Sequence, residues 1–126
     1  MLAYASRKLP GLVTQADLRR LPVASQSIDG IWCCAALLHV AHDQTMEALR
    51  EMRRILRRDG CLVLVTAAGQ GARLEPVPYD PGTQRWFFYR EPVQLEEQLS
   101  DAGLRVVTLT EEVSSRHWLK ILARAA

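Results

Sequence analysis

Cysteine is scarce in this chain: three in 126 residues, Cys33, Cys34 and Cys61. The count is odd and the spacing fits no disulfide framework, which excludes the small cross-linked secreted class. Adjacent residues of a strand point to opposite faces, so Cys33 and Cys34 are poor co-ligands for one metal, and no metal site is expected. Long apolar runs are missing too. No uncharged stretch approaches the ~20 residues of a membrane span, and Arg7 and Lys8 are not followed by the apolar segment of a secretory signal. Charge of one sign is also lacking. Sixteen basic and 14 acidic residues leave a net +2, too balanced to argue for a nucleic-acid partner. No internal repeat and no low-complexity segment appears. These absences point to one domain over residues 1–126 in a reducing cytoplasm, with the thiols packed as small hydrophobes.

What is present is an ordinary globular composition, 48% apolar, in a chain long enough to bury roughly two-thirds of its unfolded surface. Residues 1–9 read as the tail of a helix stopped by Pro10-Gly11. Leu12 to Ala16 reads as a short strand ending at Asp17, and 19–27 as a polar loop. Ile28 to Ala35 is almost continuously apolar, the pattern of a strand buried on both faces of a parallel sheet. Met46, Leu49, Met52, Ile55 and Leu56 recur at helical spacing, with Arg50 to Arg58 as a solvated face and Asp59-Gly60 as the helix stop. Cys61 to Thr66 is the next strand. Residues 67–90 lack periodicity and read as a long functional loop. Pro92 opens a helix with Val93 or Leu95, Leu99 and Ala102 on its apolar stripe and Gly103 at its end. Leu104 to Thr110 and His117 to Arg124 form an antiparallel hairpin about Ser114-Ser115. Alternating strands and helices define a layered α/β fold.

The chemistry-bearing residues cluster at strand ends. Asp17-Leu18 closes the first strand; on spacing alone Asp17 is a turn or capping residue. The run Cys33 to His39 follows the central apolar strand, where open α/β sheets bind their ligands. His39 reads either as a base or as a half-buried histidine with a satisfied ring. His42 reads as a solvent-facing residue at the helix entry, and His117 as structural. Arg85 to Arg90 interleaves bases and aromatics, too short a signal to specify nucleobase stacking. Tyr79, Trp86, Phe88 and Tyr89 either line a pocket or anchor the loop to the core.

Taken together, Asp17-Leu18, Leu21-Pro22, Ser27-Ile28-Asp29-Gly30, the Cys33–His39 turn, the Ile55–Gly60 helix end and the closing hairpin resemble the C-terminal two-thirds of a class I S-adenosylmethionine-dependent methyltransferase of the type 11 kind. The resemblance implies a partial Rossmann-like methyltransferase sheet: strands three to seven of the family with the terminal antiparallel hairpin, the first two strands missing. It implies S-adenosylmethionine as cofactor, with Asp17 accepting from the adenine amine, Leu18 supplying a neighbouring backbone amide, and Cys34, Ala35 and Leu38 packing on the cofactor. His39 becomes the catalytic candidate, and Tyr79, Trp86, Phe88 and Tyr89 the wall of a small-molecule substrate pocket. Methyl transfer depends largely on in-line positioning, so the residues leave the acceptor atom open.

The resemblance also places a glycine-rich cofactor loop and a ribose-binding acid upstream of Met1; Gly69-Gln70-Gly71 follows the wrong strand to replace the loop. Three expectations follow. The chain is a truncated or late-started methyltransferase, or a non-catalytic relative that binds a partner, or it completes its sheet against a second copy through the exposed edge of strand 28–35. Strand 12–16 or a second chain is expected to cover that edge. The sheet order is expected to be 28–35, 61–66, 117–124, 104–110. Charge-assisted hydrogen bonds contribute roughly 1.5–3 kcal/mol each, so losing two from the missing segment weakens cofactor binding a hundredfold or more. This chain is expected to hold S-adenosylmethionine weakly or not at all, through the adenine side only.

Overall fold

The computed structural model describes residues 2–126. Four strands form the main sheet: β1 (Ile28–Cys34), β2 (Leu56–Ala67), β5 (Leu104–Val113) and β6 (His117–Ala125). Their order is β1-β2-β6-β5. β1 runs parallel to β2, and the pairs β2–β6 and β6–β5 are antiparallel. This is the expected order, with β6 inserted between β2 and β5. Ser114, whose N–H bonds the Arg116 carbonyl at 3.0 Å, turns the last hairpin.

Two helices cover one face of the sheet. α2 (Thr45–Ile55) buries Ala48, Leu49, Met52 and Ile55 along one stripe, and α3 (Pro92–Asp101) buries Leu95 and Leu99. Pro92 costs α3 nothing because the first-turn N–H has no helical partner. Between Val93 and Leu95 the structure selects Leu95, leaving Val93 70% exposed. Below the helices lie Leu62 and Leu64 of β2, Leu104 of β5, and Leu119, Ile121 and Ala123 of β6. Each such leucine contributes roughly 1.5–3 kcal/mol by burial.

Among the described residues no buried helix stripe packs on the opposite face, where Val63 and Leu122 are half-buried. Trp32, Val63 and Leu122 line up across three strands, and Trp32 is 73% exposed. The expectation that strand 28–35 is buried on both faces is therefore corrected, and with it the expectation that all three cysteines are buried. Cys33 points into the core, Cys34 is exposed and Cys61 is half-buried. The helices seen here cover one face, and apolar β1 side chains on the other face meet solvent.

Three element boundaries also differ from expectation. Leu12–Ala16 forms no strand. Among the described residues no strand pairs with it, the Leu12 N–H bonds back to the Leu9 carbonyl, Leu12 is 76% exposed, and the preceding helix α1 (Leu2–Lys8) buries no residue. α2 ends at Ile55 rather than at Gly60, because Leu56 pairs with Ile28 and draws residues 56–60 into β2. Residues 67–90 are not an unstructured loop. They contain a hairpin of β3 (Ala72–Pro76) and β4 (Gln84–Phe88), seated on a second small core of Leu38, Ala67, Val77, Phe87 and Tyr89.

The start of β2 is tight. Its register against β1 shifts between Ile28 and Gly30, Asp59 adopts φ 64°, and a Cβ added at Gly60 would lie 2.8 Å from the Arg57 carbonyl oxygen and 3.1 Å from that of Asp29. Backbone oxygens cannot swing aside. Gly60→Ala is expected to lower stability by about 1–3 kcal/mol, read as an earlier urea midpoint. An unchanged midpoint would show that this corner is looser than the register implies.

Candidate functional site

β1 and β2 end side by side, and the segment leaving β1 is shaped by a strained residue. Ala35 has φ 56°, a conformation uncommon without glycine and concentrated at functional turns. Its N–H bonds the Val65 carbonyl at 2.9 Å, so the chain stays on the sheet for one residue more and then breaks away. Cys34 and Ala35 are left exposed at the carboxyl end of β1. A one-turn 3-10 helix, Leu37–His39, follows, then a second, His42–Gln44, which runs into α2.

The β4 strand packs against this segment through two successive side chains, one on each face. Phe87 meets His39 edge-on with ring centres 4.9 Å apart, and Phe88, on the other face, meets His42 at 5.4 Å. His39 Nδ1 lies 3.0 Å from the Trp86 carbonyl oxygen. A carbonyl only accepts, so Nδ1 carries the proton and Nε2 keeps its lone pair. Burial pushes the His39 pKa below its ordinary value, helped by the nearby positive charges of Arg85 and Arg116 and opposed by the Trp86 bond. The ring is thus a neutral imidazole with a basic nitrogen free. His42 Nε2 lies 2.8 Å from the Tyr89 carbonyl oxygen.

Beneath these rings is Arg90, only 4% exposed. Its Nη1 donates to the carbonyls of Leu37 (2.9 Å) and Phe88 (3.1 Å), and its Nη2 to the Val40 carbonyl (2.7 Å) and Thr45 Oγ1 (2.9 Å). One side chain thus pins the turn after β1, the end of β4 and the first residue of α2. The sequence reading treated Arg90 as one member of a basic-aromatic run. The missed signal is a cation closing four consecutive aromatics just before a proline-led helix.

A second polar cluster braces the hairpin. Arg116 lies over Phe87 at 4.4 Å and donates to Tyr89 Oη at 2.6 Å and Glu75 Oε2 at 3.2 Å, while Tyr89 Oη donates to Glu75. Burial raises the Tyr89 pKa, and the Glu75 bond adds to that. Burial works against the Glu75 charge, yet the Tyr89 and Arg116 bonds outweigh it and hold the carboxyl below its ordinary range.

The candidate residues from the sequence therefore divide. Trp86 and Phe88 share one face of β4, while the His39 ring packs on Phe87 on the other face and touches Trp86 through its backbone carbonyl. Trp86 is 54% exposed, and its ring lies 6.3 Å from that of Phe88. Tyr79 is 63% exposed and accepts from Arg85 at 3.3 Å. Leu38 and Tyr89 are instead buried beneath, 1% and 6% exposed; they support the surface rather than form it. Asp17 stands apart. Its carboxylate accepts from the Arg19 backbone at 2.8 Å and from the Arg19 guanidinium at 2.7 and 3.0 Å, bonds that pull its pKa down to about 2. It lines a hollow of about 370 Å³ with Arg19, Arg20 and Glu47. Leu18 packs against the main core. The following loop is fixed to α2 by Glu51 and Arg54, which grip the Leu21 N–H and carbonyl. No hydrogen bond or ring contact joins Asp17 to the 34–39 turn among the described residues. Among those residues, too, no group of three or more His, Cys, Asp or Glu side chains is placed to hold a metal ion, and no helix is long and apolar enough to cross a membrane.

The profile of a family described as "Methyltransferase domain" matches residues 1–64. The chain belongs to this family. No curated protein matches it by sequence. Among solved structures, it is similar to the Burkholderia thailandensis 1,6-didemethyltoxoflavin-N1-methyltransferase, a structure with 1,6-didemethyltoxoflavin and S-adenosylhomocysteine bound, at 21% identity and TM-score 0.74 over 98% of this chain and 56% of that one. An S-adenosylmethionine-dependent methyltransferase from Methanosarcina mazei aligns at 16% identity and TM-score 0.77, over 97% of this chain and 74% of that one. One described as putative, from Listeria monocytogenes, aligns at 14% and 0.77, over 100% and 76%. The chain thus spans 56% of the first of these structures and about three-quarters of the other two. At these identities the likeness shows the fold, which is the Rossmann-like methyltransferase fold.

The lowered pKa of His39 carries a testable consequence. The unfolded ring titrates near 6.5, the folded ring below that. Its contribution to stability is fully present above 6.5 and is lost as pH falls through the folded value. An NMR titration of the His39 ring should give a midpoint below 6.5; a midpoint at or above 6.5 would show the ring to be solvated or ion-paired.

Proposed function

We propose that this chain serves S-adenosylmethionine-dependent methyl transfer to a small molecule, supplying the adenine side of the cofactor site and the substrate-facing wall. The observation that carries this reading is the family match over residues 1–64, which ends within the β1–β2 pair and takes in the Ala35 turn. The residues present fit the cofactor in part. Asp17 is accessible and keeps carboxylate lone pairs beyond the Arg19 bonds, as an acceptor for an adenine amine requires. Cys34 and Ala35 are small and exposed at the strand end, where a ligand approaches an open α/β sheet. When bound, the cofactor supplies a methyl group on a sulfonium sulfur.

The chain's own residues then have these roles. Leu18 anchors the Asp17 turn to the core and leaves a backbone amide beside the carboxylate. Cys34 and Ala35 lie against the cofactor, with Leu38 beneath them as support. Trp86, Phe88 and Tyr79 present ring faces to the methyl acceptor, and Tyr89 holds the hairpin from below. His39 Nε2, the free basic nitrogen, takes a proton from an acceptor that must lose one.

The test is a titration of ¹⁵N-labelled chain with S-adenosylhomocysteine. Millimolar binding is expected, with amide shifts at Asp17–Leu18 and Cys34–Leu38, and Asp17→Ala should abolish the first set. Shifts confined to other regions, or none at saturating ligand, would overturn the adenine-side assignment.

The bare flank of the sheet favours a second, compatible reading. Among the described residues β1 has a strand on one side only, and Trp32 beside that edge is 73% exposed. An open apolar edge is a template for pairing, so we propose that a second copy covers it. Sedimentation velocity should show a dimer that Trp32→Lys dissociates; a monomer at 100 μM, on the order of ordinary assay concentrations, would refute it.

A further inference from the structure

The turn that closes the last hairpin reaches back to β4. Arg116 directly precedes β6, and its carbonyl accepts from the Ser114 N–H at 3.0 Å. The next carbonyl, that of His117, accepts from the Ala68 N–H at 2.8 Å. The backbone is thus tied down where the Arg116 side chain leaves it. That side chain is 24% exposed. Its guanidinium lies 4.4 Å from the Phe87 ring centre, 5.8 Å from that of Tyr89 and 5.9 Å from that of Trp118. Its Nη1 donates to Tyr89 Oη at 2.6 Å and to the two Glu75 carboxylate oxygens at 3.2 and 3.3 Å. A cation held by ring faces and a carboxylate at once has little freedom to move.

Phe87 carries the contact onward. The His39 ring rests edge-on against it at 4.9 Å, and the carbonyl that meets His39 Nδ1 at 3.0 Å belongs to the adjoining residue, Trp86. Whatever fixes Phe87 therefore fixes both supports of the imidazole. The charges around the ring differ in how firmly they are held. Arg85, on β4, is exposed and bonds Tyr79 Oη at 3.3 Å. Arg90 lies beneath the turn, bonded to the Leu37 carbonyl. Glu75, on β3, is paired with Arg116 and offsets part of its charge. Burial lowers the His39 pKa first, the Trp86 bond raises it, and Arg85 and Arg116 lower it further. Of those last two cations, Arg116 is the anchored one.

We infer that Arg116 is a positioning residue for His39, holding Phe87 against the imidazole and setting a fixed positive charge beside it. Phe87 and the Trp86 carbonyl then keep the ring in its Nδ1–H form, with Nε2 open. The charge disfavours a second proton on the ring, so Nε2 stays available for the proton that a methyl acceptor gives up. The inference rests on the reading of His39 as the base of the proposed function. It adds a residue from the last hairpin, outside the family match over residues 1–64.

The experiment follows the ¹⁵N signals of the His39 ring in the full chain from about pH 5 to 8, a range in which Arg116 and Glu75 keep their charges. Arg116→Gln should raise the midpoint by about 0.5 and let the Nε2–H tautomer appear. Arg116→Lys keeps the charge and should leave the midpoint where it was. Glu75→Gln breaks the same cluster but removes the offsetting carboxylate, so it should lower the midpoint. A purely structural role would move both Gln variants the same way, toward a solvated ring at 6.5. That result would overturn the inference. So would an unmoved midpoint in Arg116→Gln, or a rise in Arg116→Lys as large as in Arg116→Gln. The titration needs neither cofactor nor acceptor, so its failure and that of the S-adenosylhomocysteine titration are separate results.

Discussion

The carboxyl end of this sheet depends on one side chain. Arg90 bonds the carbonyls of Leu37, Val40 and Phe88 and the hydroxyl of Thr45 from a position almost wholly inside the protein. Hydrogen bonds from a charged donor are roughly twice as strong as neutral ones. More important is what lies at the other end of each bond. The Leu37–His39 turn makes only two backbone bonds of its own, His39 N–H to the Ala36 carbonyl and Val40 N–H to that of Leu37, and the aromatic strand β4 ends beside it. Without the guanidinium the Leu37 oxygen would keep only its Val40 bond, and the turn, the end of β4 and the start of α2 would lose the side chain that ties them together. The clamp sets where His39 stands relative to Trp86, and where α2 begins. Lysine cannot replace it, since a single ammonium lacks the planar fork that reaches four acceptors.

Around that clamp the protein shows two kinds of order. The helix-covered face is a conventional core, in which leucines from α2, α3 and three strands interlock. The hairpin side is held by charge and ring faces: Arg116 over Phe87, Glu75 between Tyr89 and Arg116, and two histidines against two phenylalanines. Here a small core of five buried residues is supplemented by polar bonds with specific directions. Such an arrangement fixes orientation more than it adds stability, which suits a wall that must present Trp86 and Phe88 in a defined pose.

How far the chain discloses this depends on which signal each element carries. The two covering helices and the main strands were legible, because Met46 to Ile55, Leu95 to Leu99 and the strands have clear patterns and because Pro92, Gly103 and Ser114 punctuate them. The sheet order came from the methyltransferase resemblance. The β3–β4 hairpin was not. Ala72–Pro76 includes arginine and glutamate on an exposed strand, and the seven residues joining it to β4 hide the pairing. The early end of α2 was invisible for another reason: Arg57, Arg58 and Asp59 suit a solvated helix face as well as an exposed strand, and only the partner Ile28 decides. Strand 12–16 failed because pattern alone supplies no neighbour. At the site, the turn after β1 was found by its position, whereas Arg90 was not: its local signal, a cation closing four aromatics before a proline-led helix, reads equally as an exposed basic-aromatic run.

The placement of β6 has a consequence for how the chain acquires its shape. β2 is flanked by a strand from early in the sequence and by one from the end, with β6 closing the middle of the sheet. During synthesis, β2 emerges more than fifty residues before the strand that covers its second edge. Until then β2 has, among the described strands, only its parallel pairing with β1, the less stable kind of pairing. α3 has already emerged by that point, but its foundation at Leu119 and Ile121 has not. The hairpin core and the Arg90 clamp draw on residues up to 90, whereas the helix-covered core closes only once residues 117–125 are made, and until then the second edge of β2 stays unpaired.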